Sequence, residues 1–589
     1  MILLVPCVER MRAEDRRLTQ LAEFLGIRWA TLELGKGDAQ WRASLKNALR
    51  QEGACLVVNP AVMQDFVGED AAAELGSFAA ANCSRILVYA PKPQAFGSHL
   101  IQAFSGGGFE GSHEAAEGAQ PYAVASDSRD ICGDFSGITF GGSSSSKDSV
   151  FRAGPNPVAC RSLISIAGEP FMARVSCEKA EVLLLGAQDI ADLDAEVGEA
   201  PVSEYFSTFV APAMALRYFF GEECWRPAGR SASVIVDDPL LKQNYGFLNF
   251  DSLLELTQRH DFHTTIAFIP HNFRRSSPKI VKMFRENPDR LAICFHGNDH
   301  TGAEFAATDP VLLNTMLEIA EQRMRTHQEI TGLECDRVMV FPQGNFSVEA
   351  MAVLKARNFD CAINTVPHPT QQPVRLALRE IAQPAVLRYA GFPLFLRKDS
   401  AHTQNEDIAF ATFLGRPVLI VEHHDIFQHV EPLIEAAKRI NTISPGIRWS
   451  SPSHATARAV LRRRIAGGYE VRAYARTVQV SNDSDTSQKL VIEWGPSDLV
   501  DSVSSDGQLC SKFENDAQGT RVSIELAARG SAVLSVSHRN GRPALKGIGL
   551  RRNAKAYVRR RLSEVRDNYL SKNASLLAAA KMARKHLIH

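Results

Sequence analysis

Three short polar islands, each closing an apolar run, constrain this chain of 589 residues more than any other feature. The first is Val234-Ile235-Val236-Asp237-Asp238-Pro239, two adjacent carboxylates after a β-branched segment. The second is Ala292-Ile293-Cys294-Phe295-His296-Gly297-Asn298-Asp299-His300-Thr301. The third is Pro417-Val418-Leu419-Ile420-Val421-Glu422-His423-His424-Asp425. An apolar run of about four to six residues between helical stretches reads as a buried parallel strand. In such folds the carboxyl ends of the strands line the active-site face. Two carboxylates and several imidazoles at those ends predict a metal-dependent hydrolytic site.

The chain around the islands alternates strand and helix. Thr264–Ile269, Leu291–Phe295, Arg337–Phe341, Cys361–Asn364 and Val418–Val421 read as strands. Phe250–His260, Lys279–Glu286, Pro310–Thr331 and Ser347–Arg357 read as the helices between them. Such repeats predict a (β/α) barrel, complete or distorted, over residues 229–466. Residues 1–228 form a separate α/β region, Rossmann-like or flavodoxin-like, with a loop-rich stretch over 105–150. Gly106-x-Gly108-x-x-Gly111 fits the dinucleotide fingerprint literally, but without the preceding strand that gives the motif meaning it reads as a loop. No glycine-rich turn follows the first strand either, where Pro6-Cys7-Val8-Glu9-Arg10 stands instead.

After Gly467-Gly468 the period changes to two. Val471–Val480, Lys489–Trp494, Arg521–Leu526 and Ser531–Ser537 predict an antiparallel sandwich over 467–545. The remainder, 546–589, is a basic tail predicted helical from Ala554 to Leu587. From Arg551 onward it carries eleven Lys or Arg against Glu564 and Asp567. Leu562, Val565, Tyr569, Leu576 and Leu577 give it an apolar stripe, the signature of a helix that docks on another domain or partner protein, or lies on an anionic membrane surface. Aromatic interleaving is sparse, so no nucleic-acid partner is expected.

Composition adds exclusions. The formal net charge is zero, so nothing global favours nucleic acid or membrane. Eleven cysteines include no C-x-x-C pair, which speaks against a cysteine zinc site and for thiols in a reducing compartment. The apolar start is too short for a secretory signal, and no run approaches the ~20 residues that span a bilayer. The expected location is cytoplasmic, with a peripheral inner-membrane position open through the tail.

Metal-activated hydrolysis needs ligands, an open coordination position for water, a base, and an acid for the leaving group. His296 and His300, spaced i and i+4, fall on one face of a helical turn. Asp237 and Asp238 point apart on an extended backbone, so one can ligate while the other acts as base. His423 or His424 is placed to protonate a leaving amine. Asn298 and Asp299 read as groups orienting the ligands or as loop polars. His271 reads as a substrate contact or a structural group, as do His260 and His263.

An Asp-Asp after an apolar strand, then His-x-x-x-His, a Pro-x-Gly turn and a late His-Asp together resemble the polysaccharide deacetylases of carbohydrate esterase family 4. The resemblance covers roughly residues 231–446. It implies a distorted (β/α) barrel and a divalent metal ion, usually zinc. It assigns Asp237 as general base, Asp238, His296 and His300 as metal ligands, and the Gln343 N–H of Phe341-Pro342-Gln343-Gly344 as oxyanion donor. It makes His424, followed by Asp425, the general acid, with His423 beside it. The sequence departs from the family where Pro239 follows the aspartates directly, and where Val340 replaces the arginine that orients the base. The expected activity is de-N-acetylation of an N-acetylated sugar or saccharide in polysaccharide or glycoconjugate biosynthesis. The alternatives are a glycoside hydrolase using Asp237 with Glu422, or an inactive saccharide-binding scaffold.

Overall fold

The computed structural model describes the chain except for residues 6–10, 34–40, 50–53, 64–68, 93–94, 117, 119, 142–147, 157–159, 199–200, 372–373, 496–499, 539–544, 546–549, 571 and 573–589. The segment after the first strand and the end of the basic tail, with Leu576 and Leu577, therefore lie outside the described residues. The chain divides into two compact units. One is Met1–Arg226 with Ala377–Ala382 and Arg462–Ile465, and the other is Pro227–Leu376, Gln383–Leu461 and Ala466–His589.

The first unit is built on one nine-stranded sheet. Ala30–Glu33, Ile2–Val5, Leu56–Val58, Arg85–Val88 and Ala180–Leu185 run parallel, in that order. From Ala180–Leu185 outward, Glu169–Cys177, Cys160–Ile166, Pro121–Val124 and Thr139–Gly141 are antiparallel. The cause is the length of the connections. Ala167 and Gly168, both at positive φ, join two strands by a two-residue turn, which only antiparallel neighbours permit. Residues 106–108 form a turn between helix Ala95–Phe104 and strand Phe109–Glu114, the reverse of the strand-then-helix setting a dinucleotide needs.

The second unit holds the islands, on a wholly parallel sheet that nearly closes into a barrel. Its order is Leu394–Leu396, Cys361–Asn364, Asp336–Val340, Leu291–His296, Thr264–Phe268, Ser231–Asp237, Val418–His423, Lys398–Asp399. The two edge strands are consecutive in the chain, parted only by Arg397, so one extended stretch links both edges. Ser231–Asp237 is buried along its whole length. Val234, Ile235 and Val236 are fully buried, each contributing roughly 1.5–3 kcal/mol of transfer free energy. The helices between strands carry the expected signals: the Asp309 side chain accepts from the Val311 and Leu312 N–H groups, and Gly332 ends that helix in the left-handed region.

Beyond the barrel, Val471, Val478, Leu490, Ile492, Val522, Leu534 and Val536 share one core between two sheets. One expectation fails in detail. Gly468–Ala473 pairs parallel with Gln488–Trp494, because the intervening Thr477–Ser481 strand crosses to the other sheet. The tail is helical over Leu550–Val565 and continues as a π-turn over Arg566–Leu570. Its expected apolar stripe is not the docked face. Leu562, Val565 and Tyr569 are exposed, while Ala556, Arg560 and Asp567 are buried.

Candidate metal centre

Asp237 ends its strand, and in parallel register it lies opposite His423 of Val418–His423 and Ala267 of Thr264–Phe268. Asp238 turns out of the strand at φ +81°, a left-handed conformation that Asp tolerates better than bulky residues do. That reversal separates the two carboxylates. Asp237 receives both terminal nitrogens of Arg397, at 2.7 and 2.6 Å. Burial alone would raise the Asp237 carboxyl, but Arg397, with His296 and His423 beside it, outweighs this and brings it down to about 2. Asp237 is thus an ionised, fully oriented carboxylate. Its partner is Arg397, about 160 positions downstream in the chain, and not a residue near Val340. Arg337 does not. It stacks on Phe359 and pairs with Glu321, away from the carboxylates.

Asp238 faces two imidazoles. Its Oδ1 lies 3.7 Å from His296 Nε2 and 3.4 Å from His300 Nε2. One ligand atom from each of the three residues falls within 4.8 Å of the others, the spread expected of donors around one ion. His296 Nδ1 is held by the Val340 carbonyl at 3.0 Å, which directs Nε2 into the site. Asp238 Oδ1 is buried with no hydrogen-bond partner, and so is His300 Nδ1. Burial lowers the His300 pKa to about 4, which keeps this ring neutral and able to ligate near neutral pH. The donor set, one carboxylate and two imidazoles, suits a divalent ion such as zinc.

The two histidines are not on a helix. His296 ends its strand, Gly297 follows at φ +67°, and His300 stands at φ +56° in a loop. A Cβ at Gly297 would come within 2.2 Å of Glu304 Oε1 and 2.5 Å of Pro342 Cγ, so glycine is required there. Glu304 holds the loop, accepting from the N–H groups of Asn298, Asp299 and His300 at 2.9, 3.3 and 3.0 Å. Asn298 and Asp299 stand in this loop. Asn298 Oδ1 accepts from Arg323 at 2.7 Å, and Asp299 Oδ1 accepts from the Thr301 N–H at 3.0 Å. The His271 backbone N–H donates to the Asn298 carbonyl at 3.0 Å, and burial lowers the ring pKa to about 4. His263 sits just before the strand's amino end, fully buried.

Pro342-Gln343-Gly344 makes a tight turn with Gln343 at φ +59°, packed by Pro342 against the Gly297 loop. The Gln343 N–H donates to no described residue. His424 follows Val418–His423 and stacks edge-on to Tyr245, ring centroids 5.4 Å apart. Its Nε2 lies 3.6 Å from Asp567 Oδ1, a carboxylate delivered by the C-terminal segment. Asp567 also accepts from Tyr245 Oη at 2.8 Å and from Arg566. Although burial would raise it, these donors bring Asp567 down to about 2. Gly246 lies against the His424 ring, with room for no side chain, and its N–H donates to Asn568 Oδ1 at 2.8 Å. His423 and Asp425 are exposed, and no hydrogen bond or ion pair joins them to the ligands among the described residues.

Glu422 bears on the glycosidase alternative. It lies opposite Val236, one position out of phase with the Asp237–His423 pair, and accepts from the Ser400 N–H at 2.9 Å. Alternate strand positions face opposite sides, so Glu422 and Asp237 do not flank one bond.

Arg397, Asp567 and Glu304 escaped the sequence reading. Gly297 was the available sign that the His-x-x-x-His segment is a loop.

No family model matches the chain, and no curated protein matches it. Several solved structures match a third or more of it at low similarity. A family 4 carbohydrate esterase from Streptomyces lividans is 12% identical over 37% of this chain and 89% of its own, with a TM-score of 0.23. A family 4 esterase from Streptococcus mutans is 12% identical over 38% and 86%, with a TM-score of 0.22. An aldolase from Escherichia coli K12 stands equally near, at 12% identity over 36% and 88% and a TM-score of 0.22. Likeness at this level carries no argument about activity, which rests on the residues above.

Proposed function

We propose that this protein is a metal-dependent carbohydrate de-N-acetylase, hydrolysing the acetamide of an N-acetylated saccharide. The observation that carries the reading is the pairing of an Asp238–His296–His300 donor set with a separate, arginine-clamped Asp237 one residue away. A divalent cation held by that set would supply Lewis acidity toward the amide carbonyl and toward water. Asp237, ionised and fixed by Arg397, takes the proton of the attacking water. The Gln343 N–H donates to the oxygen on which negative charge develops. His424, steadied by Asp567 and Tyr245, gives its proton to the departing nitrogen, so that acetate and a free amino sugar leave. Arg397 also weakens the case for an inactive scaffold, because the base is oriented after all.

The test is acetate release by the full chain from N-acetylated oligosaccharides and nucleotide-linked N-acetyl sugars, with wild type and His296→Ala. Release by wild type that is abolished by chelator, restored by zinc and missing from the variant supports the reading. Stoichiometric metal without acetate from any of these substrates contradicts it.

A further inference from the structure

Arg560 stands on the docked face of the C-terminal helix, its side chain 8% exposed and one terminal nitrogen 4.0 Å from Asp238 Oδ1. Its Nε has no hydrogen-bond partner. The other cations on this wall are matched: Lys242 and Arg275 both pair with Glu564, and Arg566 pairs with Asp567. Asp237 is taken by Arg397. Asp238 is therefore the one carboxylate within ion-pair reach of Arg560 among the described residues.

That partnership conflicts with the reading proposed above, on which this inference rests. A divalent cation held by Asp238, His296 and His300 would claim the same carboxylate. A buried guanidinium would then stand beside a dication without a counter-charge, an arrangement strongly disfavoured where water is excluded. The helix does not offer Arg560 an easy exit, since Glu564, Asp567 and Asn568 fix its inner face to Lys242, Arg275, Tyr245 and Gly246. The loaded site thus lacks one negative charge at this position, and a planar fork of N–H donors is present to receive it.

We propose that Arg560 is a substrate-recognition residue, binding an anionic group, carboxylate or phosphate, carried by the N-acetylated saccharide. The C-terminal helix, which the sequence presents as a generic basic tail, is on this view a wall of the substrate site and a determinant of specificity.

The first arm uses inorganic phosphate as probe, titrated calorimetrically into the full chain with and without zinc, in wild type and Arg560→Gln. Phosphate binds zinc-loaded wild type and weakens about ten- to a hundredfold in the variant, as loss of a charge-assisted contact implies. Zinc and phosphate strengthen each other's binding in wild type, and less so in the variant. Without phosphate, the variant binds zinc at least as tightly as wild type, because a neighbouring positive charge has gone. Equal phosphate affinity in both proteins assigns the anion to the metal alone and overturns the inference.

The second arm measures acetate release from a neutral N-acetyl oligosaccharide, a uronate-containing one and a nucleotide-linked N-acetyl sugar. Arg560→Gln raises KM for the anionic substrates about tenfold or more and leaves the neutral one unchanged, with partial rescue by Arg560→Lys. Whichever anionic substrate is affected tells carboxylate from phosphate. Equal losses on neutral and anionic substrates overturn the assignment to a substituent. If wild type releases no acetate while the phosphate difference persists, the deacetylase reading fails and the anion site at Arg560 stands.

Discussion

Each unit carries a buried polar cluster at the carboxyl ends of its parallel strands, and the two clusters differ in one respect. In the first unit Asp15 accepts from Asn59 at 3.0 Å, from the Arg12 N–H at 3.2 Å and from the Tyr89 hydroxyl. Asn59 also accepts from the Ala61 N–H at 3.1 Å. Asp15, Asn59 and Tyr89 are almost fully buried and satisfy one another. In the second unit Asp238 Oδ1, the Nδ1 atoms of His300 and His424, and Arg560 Nε are buried without hydrogen-bond partners. Buried polar atoms are nearly always paired, so the unpartnered Asp238 Oδ1, facing the Nε2 atoms of His296 and His300, is where a cation fits. Strand-end position is shared by both clusters. Unmet valence is what separates a site from a cross-link.

Breaking the second cluster at Arg397 gives the largest effect. Arg397→Met leaves Asp237 a buried charge without its partner, which costs about 3–5 kcal/mol of stability. On the proposed mechanism it also frees Asp237 and raises its pKa, lowering acetate release about 10²–10⁴-fold. Chemical denaturation and steady-state kinetics on the same preparation measure both.

The matching change in the first cluster sharpens the contrast. Asp15→Ala strands the Tyr89 hydroxyl and the Asn59 amide, costing about 1–3 kcal/mol for each buried group left unpaired. Metal content and kcat should stay at the wild-type values, and a loss of either would show that the first cluster also serves the chemistry.

A smaller, pH-dependent effect comes from His263, whose imidazole burial lowers from 6.5 to about 3. Between these values the unfolded chain binds a proton that the folded chain refuses, so stability is intact above about pH 6.5 and falls as pH drops toward 3. The loss is on the order of 5 kcal/mol at most. Acid denaturation of His263→Phe should show a flatter slope over that interval, while acetate release at neutral pH is retained.

The smallest effect tests which face of the C-terminal helix docks. Leu562→Ser and Tyr569→Ser change stability by no more than about 0.5 kcal/mol, since both side chains face outward. A drop of several kcal/mol in thermal unfolding experiments would mean that the apolar stripe is packed.

What was legible in the sequence follows from the same contrast. Asp237, Asp238, His296 and His300 sit at the ends of apolar runs, and parallel strands bring such ends together whatever joins them. Arg397 was hidden because it arrives from the stretch that links the two sheet edges, with no periodic pattern to announce it. Asp567 and Arg560 lie in a segment whose composition resembles any solvated basic helix, and only tertiary docking distinguishes its inner face. The i, i+4 spacing of His296 and His300 suited a helix equally well, and the positive φ at Gly297 decided against it. In the first unit the alternation over the first hundred residues revealed the parallel strands. The hairpins that turn the rest antiparallel depend on two-residue turns at Ala167-Gly168 and Glu178-Lys179, which carry only weak sequence signals.

The most direct measurement is metal content per folded chain, by elemental analysis after dialysis against zinc, for wild type, His300→Ala and Asp15→Ala. The account predicts one ion in wild type and Asp15→Ala and none retained in His300→Ala, with all three folded. Wild type without a bound ion, or an ion that survives in His300→Ala at full affinity, would contradict it.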